Sequence, residues 1–91
     1  MHYILFYKTI ENYVEKRAPY RERHLAYAQE YVIRGELIMA GAFSNPVDGA
    51  ALIFNCDTTT IPEEFAKNDP YVINGLINEW SIREWNVVLK S

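Results

Sequence analysis

The sequence predicts an α+β fold in which one four-stranded antiparallel sheet carries two helices on one of its faces. Two observations predict it, and a third bears on association. The elements follow one another as strand, helix, strand, strand, helix, strand. The two middle strands are separated only by Ser44-Asn45-Pro46-Val47-Asp48-Gly49, a run of turn formers that reverses the chain into a hairpin. The first and last strands are more apolar than a sheet with one solvated face requires.

Each element has its own signal. His2 to Ile10 reads as the first strand, with Tyr3, Leu5 and Tyr7 on one face and Ile4 and Phe6 on the other. Glu11 to Ala18 is a polar connection. Pro19 suits a first helical turn, where its missing N–H would have no partner anyway. The helix runs to about Arg34 and is stopped by Gly35 as a left-handed cap. Leu25, Ala28 and Val32 recur at helical spacing and predict its buried stripe. Leu37 to Phe43 is the second strand and Ala50 to Cys56 the third. Thr58 to Thr60 offer caps, and Pro62, Glu63 and Glu64 suit the first turn of a second helix that reaches about Asn68. Asp69-Pro70 restarts a helical turn that ends near Gly75. Ile77 to Leu89 is the last strand. Its alternation changes phase between Trp80 and Ile82 and the later Trp85, Val87 and Leu89, which predicts a bulge near Arg83 and Glu84. This order is that of a ferredoxin-like βαββαβ sandwich. With no internal repeat and no low-complexity linker, residues 1–91 are expected to form one domain.

Composition narrows the rest. A chain of 91 residues buries only about 60–65% of the surface it exposes when unfolded, so burial by association is favourable. Helices on one sheet face leave the other bare, and its apolar residues would form a larger patch than monomers usually expose. A homodimer packed sheet to sheet follows, with Trp80, Trp85 and Tyr3 reading as interface core. The composition, 49% hydrophobic and 14% aromatic, is that of a folded domain. The formal charge is −3, and the five Arg and four Lys are scattered, so nucleic acid is not an expected partner. Cys56 is the sole cysteine, which excludes an intrachain disulfide and fits a reducing, cytoplasmic location. No apolar run approaches the roughly 20 residues that cross a bilayer, and Met1 to Tyr7 lacks the basic flank and length of a signal core. No membrane association is expected.

Two segments look arranged for chemistry: Arg21-Glu-Arg-His24-Leu25 near the start of the first helix, and Asp69-Pro70-Tyr71-Val72 after the second. Histidine is the side chain whose ordinary charge change falls near neutrality, and His24 is the only one away from the terminus. Asp69 precedes Pro and so makes a good N-cap. A carboxylate has two oxygens and about four acceptor sites, so one edge can cap while the other orients an imidazole. The plainer roles are a partly buried His24 bonded to backbone, a purely capping Asp69 and a solvated Arg21. His2, His24 and Cys56 lack metal-ligand spacing, so no metal is expected. There is no G-x-S-x-G elbow, phosphate-binding Gly-rich loop or dinucleotide fingerprint, so no nucleotide cofactor is expected either. Cys56, with nothing basic beside it, reads as a small apolar filler.

The motifs Arg21-x-x-His24-Leu25, Gly35-Glu-Leu-Ile-Met-Ala-Gly41 and Asp69-Pro70-Tyr71-Val72-x-x-Gly75, in this order across nearly the whole chain, resemble the YCII-related (YciI-like) family. The resemblance implies the dimeric α+β barrel variant of the ferredoxin-like fold. It also implies a His-Asp pair at the active site, which falls here on His24 and Asp69. One relative is a dehydrochlorinase in the breakdown of chlorinated hydroxyquinols; more distant barrel relatives include muconolactone isomerases and cofactor-free oxygenases. The chain departs from the family's pattern after Gly41, where many relatives place Pro and this one has Ala42-Phe43-Ser44, at the expected rim of the pocket.

The resulting expectation is a small cofactor-independent enzyme that moves a proton on a small aromatic or phenolic molecule, in the manner of a dehydrochlorinase, isomerase or lyase. His24 is its acid–base group and Asp69 fixes the imidazole tautomer. Arg21 steadies a phenolate or carboxylate, and Tyr71 and Ser44 are further substrate contacts. The rival expectation is a non-catalytic dimeric module that binds a small ligand or a protein, with His24 and Asp69 serving packing and capping. A His24 nitrogen open to a concave pocket separates the two.

Overall fold

The computed structural model describes residues 1–91 throughout. Its elements are β1 (His2–Thr9), α1 (Tyr13–Lys16), a 3₁₀ turn (Ala18–Tyr20), α2 (Arg21–Ile33), β2 (Leu37–Ala42), β3 (Gly49–Asn55), α3 (Thr60–Asn68), α4 (Pro70–Ile73) and β4 (Ile77–Trp85). The four strands form one antiparallel sheet in the order β2-β3-β1-β4, the ferredoxin-like arrangement, with the helices on one face. No helix is long and apolar enough to cross a membrane.

Period-two alternation decides which residues meet the helices. Tyr3 lies opposite Phe54, Leu5 opposite Leu52 and Tyr7 opposite Ala50, and all six are buried. From above, α2 contributes Tyr31, and α3 contributes Phe65 and Ala66. The Tyr31, Phe54 and Phe65 rings meet edge to face, with centroids 4.9 to 6.4 Å apart, a geometry that matches ring edges to ring faces. The other sheet face has no helix over it. Ile4 and Phe6 lie there half-buried beside Ile53 and Ala51, and Met39 and Trp85 at its margins are 59% and 44% exposed.

Several expected details are corrected. The α2 stripe is not Leu25, Ala28 and Val32: Leu25 and Val32 are half exposed, while Tyr31 is buried and Tyr27 and Ala28 are partly so. Tyrosine can turn its ring inward because its hydroxyl finds partners, and the Tyr27 hydroxyl donates to the Phe65 carbonyl at 3.0 Å. The segment read as a polar connection contains α1, held by the buried Tyr13, and Pro19 sits in the 3₁₀ turn before α2. Pairing of β4 with β1 is regular from Trp85 to Glu79, so no bulge occurs near Arg83 and Glu84. The shift lies between Lys8 and Thr9, and β4 ends at Trp85, leaving Val88 and Leu89 exposed. Tyr3 and Trp80 lie on the helix side; only Trp85 of that trio is on the open face.

Candidate active site

The site is built on the four-residue helix α4. Asp69 is its N-cap, with extended backbone at φ −64° and ψ 124°, and Pro70 is its first residue. Asp69 is fully buried, yet each of its oxygens has partners. Oδ1 accepts the Tyr71 backbone N–H at 2.9 Å and lies 2.7 Å from His24 Nδ1, and Oδ2 accepts the Tyr7 hydroxyl at 2.7 Å. These three bonds compensate the desolvation that an unpartnered buried carboxylate could not bear. Capping and imidazole orientation coexist on one side chain.

With both Asp69 oxygens accepting, the proton between the pair belongs to His24 Nδ1. Its Nε2 makes no hydrogen bond within the chain and is the nitrogen left for a ligand. The ring is further fixed by stacking on Tyr71, with centroids 3.8 Å apart and planes 4° from parallel. Tyr13 closes the stack, meeting Tyr71 edge to face at 5.7 Å. Burial, followed by the adjacent Asp69 carboxylate, pushes the Tyr7 phenol far above its ordinary 10.0, so Tyr7 is a permanent donor to Asp69.

A cleft of about 170 Å³ opens beside this group. His24, Leu25 and Ala28 of α2 form one wall, Tyr13, Arg17, Arg21 and Tyr71 line another, and Ala40 to Ala42, Ala50, Leu52 and Tyr7 form the sheet-side floor. The cleft exists because β2 and β3 present alanines there: Ala42 lies opposite Ala50, and Ala40 opposite Leu52. Larger side chains at these positions would fill it. For scale, an apolar protein cavity of about 150 Å³ holds one benzene, so the space accommodates a single ring.

The structure brings His24, Asp69, Arg21 and Tyr71 together. Ser44 stands apart: it is exposed in the loop beyond the end of β2 and does not line the cleft. Tyr7, Tyr13 and Arg17 were not anticipated. Tyr7 carried a signal, since a tyrosine on the buried face of a strand needs a hydroxyl partner, but nothing in the sequence named Asp69 as that partner. Cys56 is remote from the cleft, donates to the Thr58 carbonyl, and has its thiol pushed up by burial, which makes it a poor nucleophile. No three His, Cys, Asp or Glu side chains cluster in a way that could hold a metal ion.

Comparison with known proteins gives the chain as a whole a family. An uncharacterized protein of Haemophilus influenzae is 28% identical over 97 aligned positions, covering 97% of this chain and 99% of that protein. Among solved structures, 5-chloro-2-hydroxyhydroquinone dehydrochlorinase from Burkholderia phenoliruptrix AC1100, in complex with 2,5-dihydroxybenzoquinone, superposes with a TM-score of 0.78 at 19% identity, covering 94% of each chain. At that identity the likeness is one of fold. The family model for the YCII-related domain matches residues 1–86, and the chain belongs to the YCII-related family.

Proposed function

We propose that the chain is an enzyme that carries out acid–base chemistry on a small molecule held in the cleft, with His24 as the proton-transfer group and Asp69 as its orienting partner. The observation that carries this reading is the 2.7 Å contact between Asp69 Oδ1 and His24 Nδ1, which leaves Nε2 free on the wall of a concave site. A histidine kept only for packing has no need of a buried carboxylate on one nitrogen and an open cleft at the other. The same arrangement therefore speaks against the non-catalytic module.

In the proposed step Nε2 removes a proton from the substrate, and the electron pair left behind forms a new double bond as a leaving group departs or the double bonds shift. The imidazolium formed is stabilised by Asp69 and returns the proton to the leaving group or to another carbon. The sequence is redox-neutral and draws every acid–base group from the protein itself. A positioned general base contributes about 100- to 10,000-fold in rate. The fold neighbour's bound benzoquinone supports a ring of that size as the substrate, consistent with the cleft volume.

The test has two stages. A thermal-shift screen of phenols, quinones and small ring acids identifies binders by the rise in melting temperature that native-state ligands cause. Turnover of the best binders is then compared with His24→Gln, which keeps a similar bulk and removes the titrating group. Loss of roughly 100-fold or more in kcat, with an unchanged melting temperature, supports the reading. Equal turnover in the variant rejects it.

A further inference from the structure

We propose that Arg17, Arg21 and the Tyr71 hydroxyl form an oxyanion-binding subsite at one side of the cleft, so that the molecule the site takes is a small organic anion, about one ring in size, bearing a carboxylate or phenolate. Its relevance to turnover rests on the acid–base reading of His24; the binding itself does not.

The first argument is charge. The protein carries a formal −3, yet the residues lining the cleft include two guanidinium groups and no carboxylate. Two cations elsewhere are paired, Arg34 at 2.8 Å from Glu36 and Lys8 at 3.4 Å from Glu79, but only Arg17 and Arg21 line the cleft. Arg17 and Arg21 have no acidic partner. Arg17 is also held in place, with its guanidinium 5.1 Å from the centre of the Tyr13 ring. Two planar cations without partners beside one concavity match the bidentate geometry of an oxyanion.

The second argument is the Tyr71 hydroxyl. Tyr71 is 2% exposed and its buried hydroxyl has no partner at full hydrogen-bond geometry, the Arg21 guanidinium being close enough to act on it only imperfectly. Burial and the nearby Tyr13 raise the Tyr71 phenol above its ordinary value, while Arg21 and Arg17 pull it down. The hydroxyl thus sits in the field of both guanidiniums and offers a donor where they offer positive charge. Tyr71 also stacks on His24. One residue therefore links the subsite to the imidazole, and a ring-sized anion held by its oxygens would lie within the same cleft as Nε2.

The experiment is calorimetric titration of the intact protein at low ionic strength with benzoate, para-nitrophenolate and the neutral isostere benzamide. Benzoate or para-nitrophenolate, or both, should bind at least about tenfold more tightly than benzamide, and their order of affinity tells carboxylate from phenolate. Arg21→Gln should weaken the anion by about tenfold. Tyr71→Phe should weaken it too without lowering the melting temperature, a combination that a merely structural tyrosine does not produce. The subsite is overturned if benzamide matches both anions, if neither anion binds, if an Arg17→Gln, Arg21→Gln double variant keeps full affinity, or if Tyr71→Phe leaves affinity unchanged. His24→Gln should retain the anion. If it also retains turnover, the acid–base reading fails while the subsite stands.

Discussion

Three hydrogens converge on the carboxylate of Asp69, from the Tyr7 hydroxyl, the Tyr71 amide and the His24 imidazole. An amide can satisfy the same partners: with its oxygen in place of Oδ1 it still accepts from Tyr71 and His24, and its nitrogen donates to a reoriented Tyr7 hydroxyl. Asp69→Asn therefore isolates the charge. It should change unfolding free energy by less than about 1 kcal/mol while lowering kcat roughly 100-fold, as urea unfolding and turnover of an identified substrate would show. Asp69→Ala abandons the buried donors and should cost roughly 3–5 kcal/mol. Tyr7 adds a pH signature. Its folded pKa lies far above the unfolded 10.0, so its contribution is complete below that value. At higher pH the unfolded chain sheds the proton and the folded chain keeps it, and stability falls by about 1.4 kcal/mol per pH unit for this group. Tyr27 and Tyr71 are shifted the same way and steepen the decline. Urea unfolding of Tyr7→Phe above pH 10.0 should show a slope shallower by one group's share. The motif resemblance paired His24 with Asp69 across 45 positions; taken alone, a lone helix histidine and an Asp before Pro have only a local signature, of packing and capping. The Tyr7 bond to Asp69 joins residues 62 positions apart and has none.

At the scale of elements, α2 shows where local pattern and packing part company. Its aliphatic residues at helical spacing pointed one way, and the helix turned its tyrosines to the sheet instead. Tyr31→Ala should cost about 3–5 kcal/mol, because it removes a ring packed between Phe54 and Phe65. Val32→Gln, at a half-exposed position, should stay within about 0.5 kcal/mol. Chemical denaturation of the two variants discriminates the observed face from the expected one. The strands were more readable. Tyr3, Leu5 and Tyr7 alternate strictly, and a one-residue slip would move the whole set to the wrong face. The end of β4 was overread because Val87 and Leu89 continue an apolar alternation past the point where β1 can pair with them. Pairing stops at His2 opposite Trp85.

For the whole molecule, the open sheet face holds Ile4, Phe6 and Ile53 with Met39 and Trp85 around them, and we expect a second copy to cover it. Light scattering at tens of micromolar should give twice the 10.6 kDa chain mass. Trp85→Glu, which places a charge on that face, should shift the population toward monomer with the helix-side core unaltered. A monomeric unmodified protein would remove this expectation. The opposite side of the sheet leads elsewhere. Ala40, Ala42 and Ala50 withhold methyl groups from a space that Val or Leu would occupy. The size of the cleft is thus set by side-chain branching at a few strand positions. On the acid–base reading proposed above, single substitutions at these positions would change which molecules fit while leaving the imidazole and the carboxylate in place.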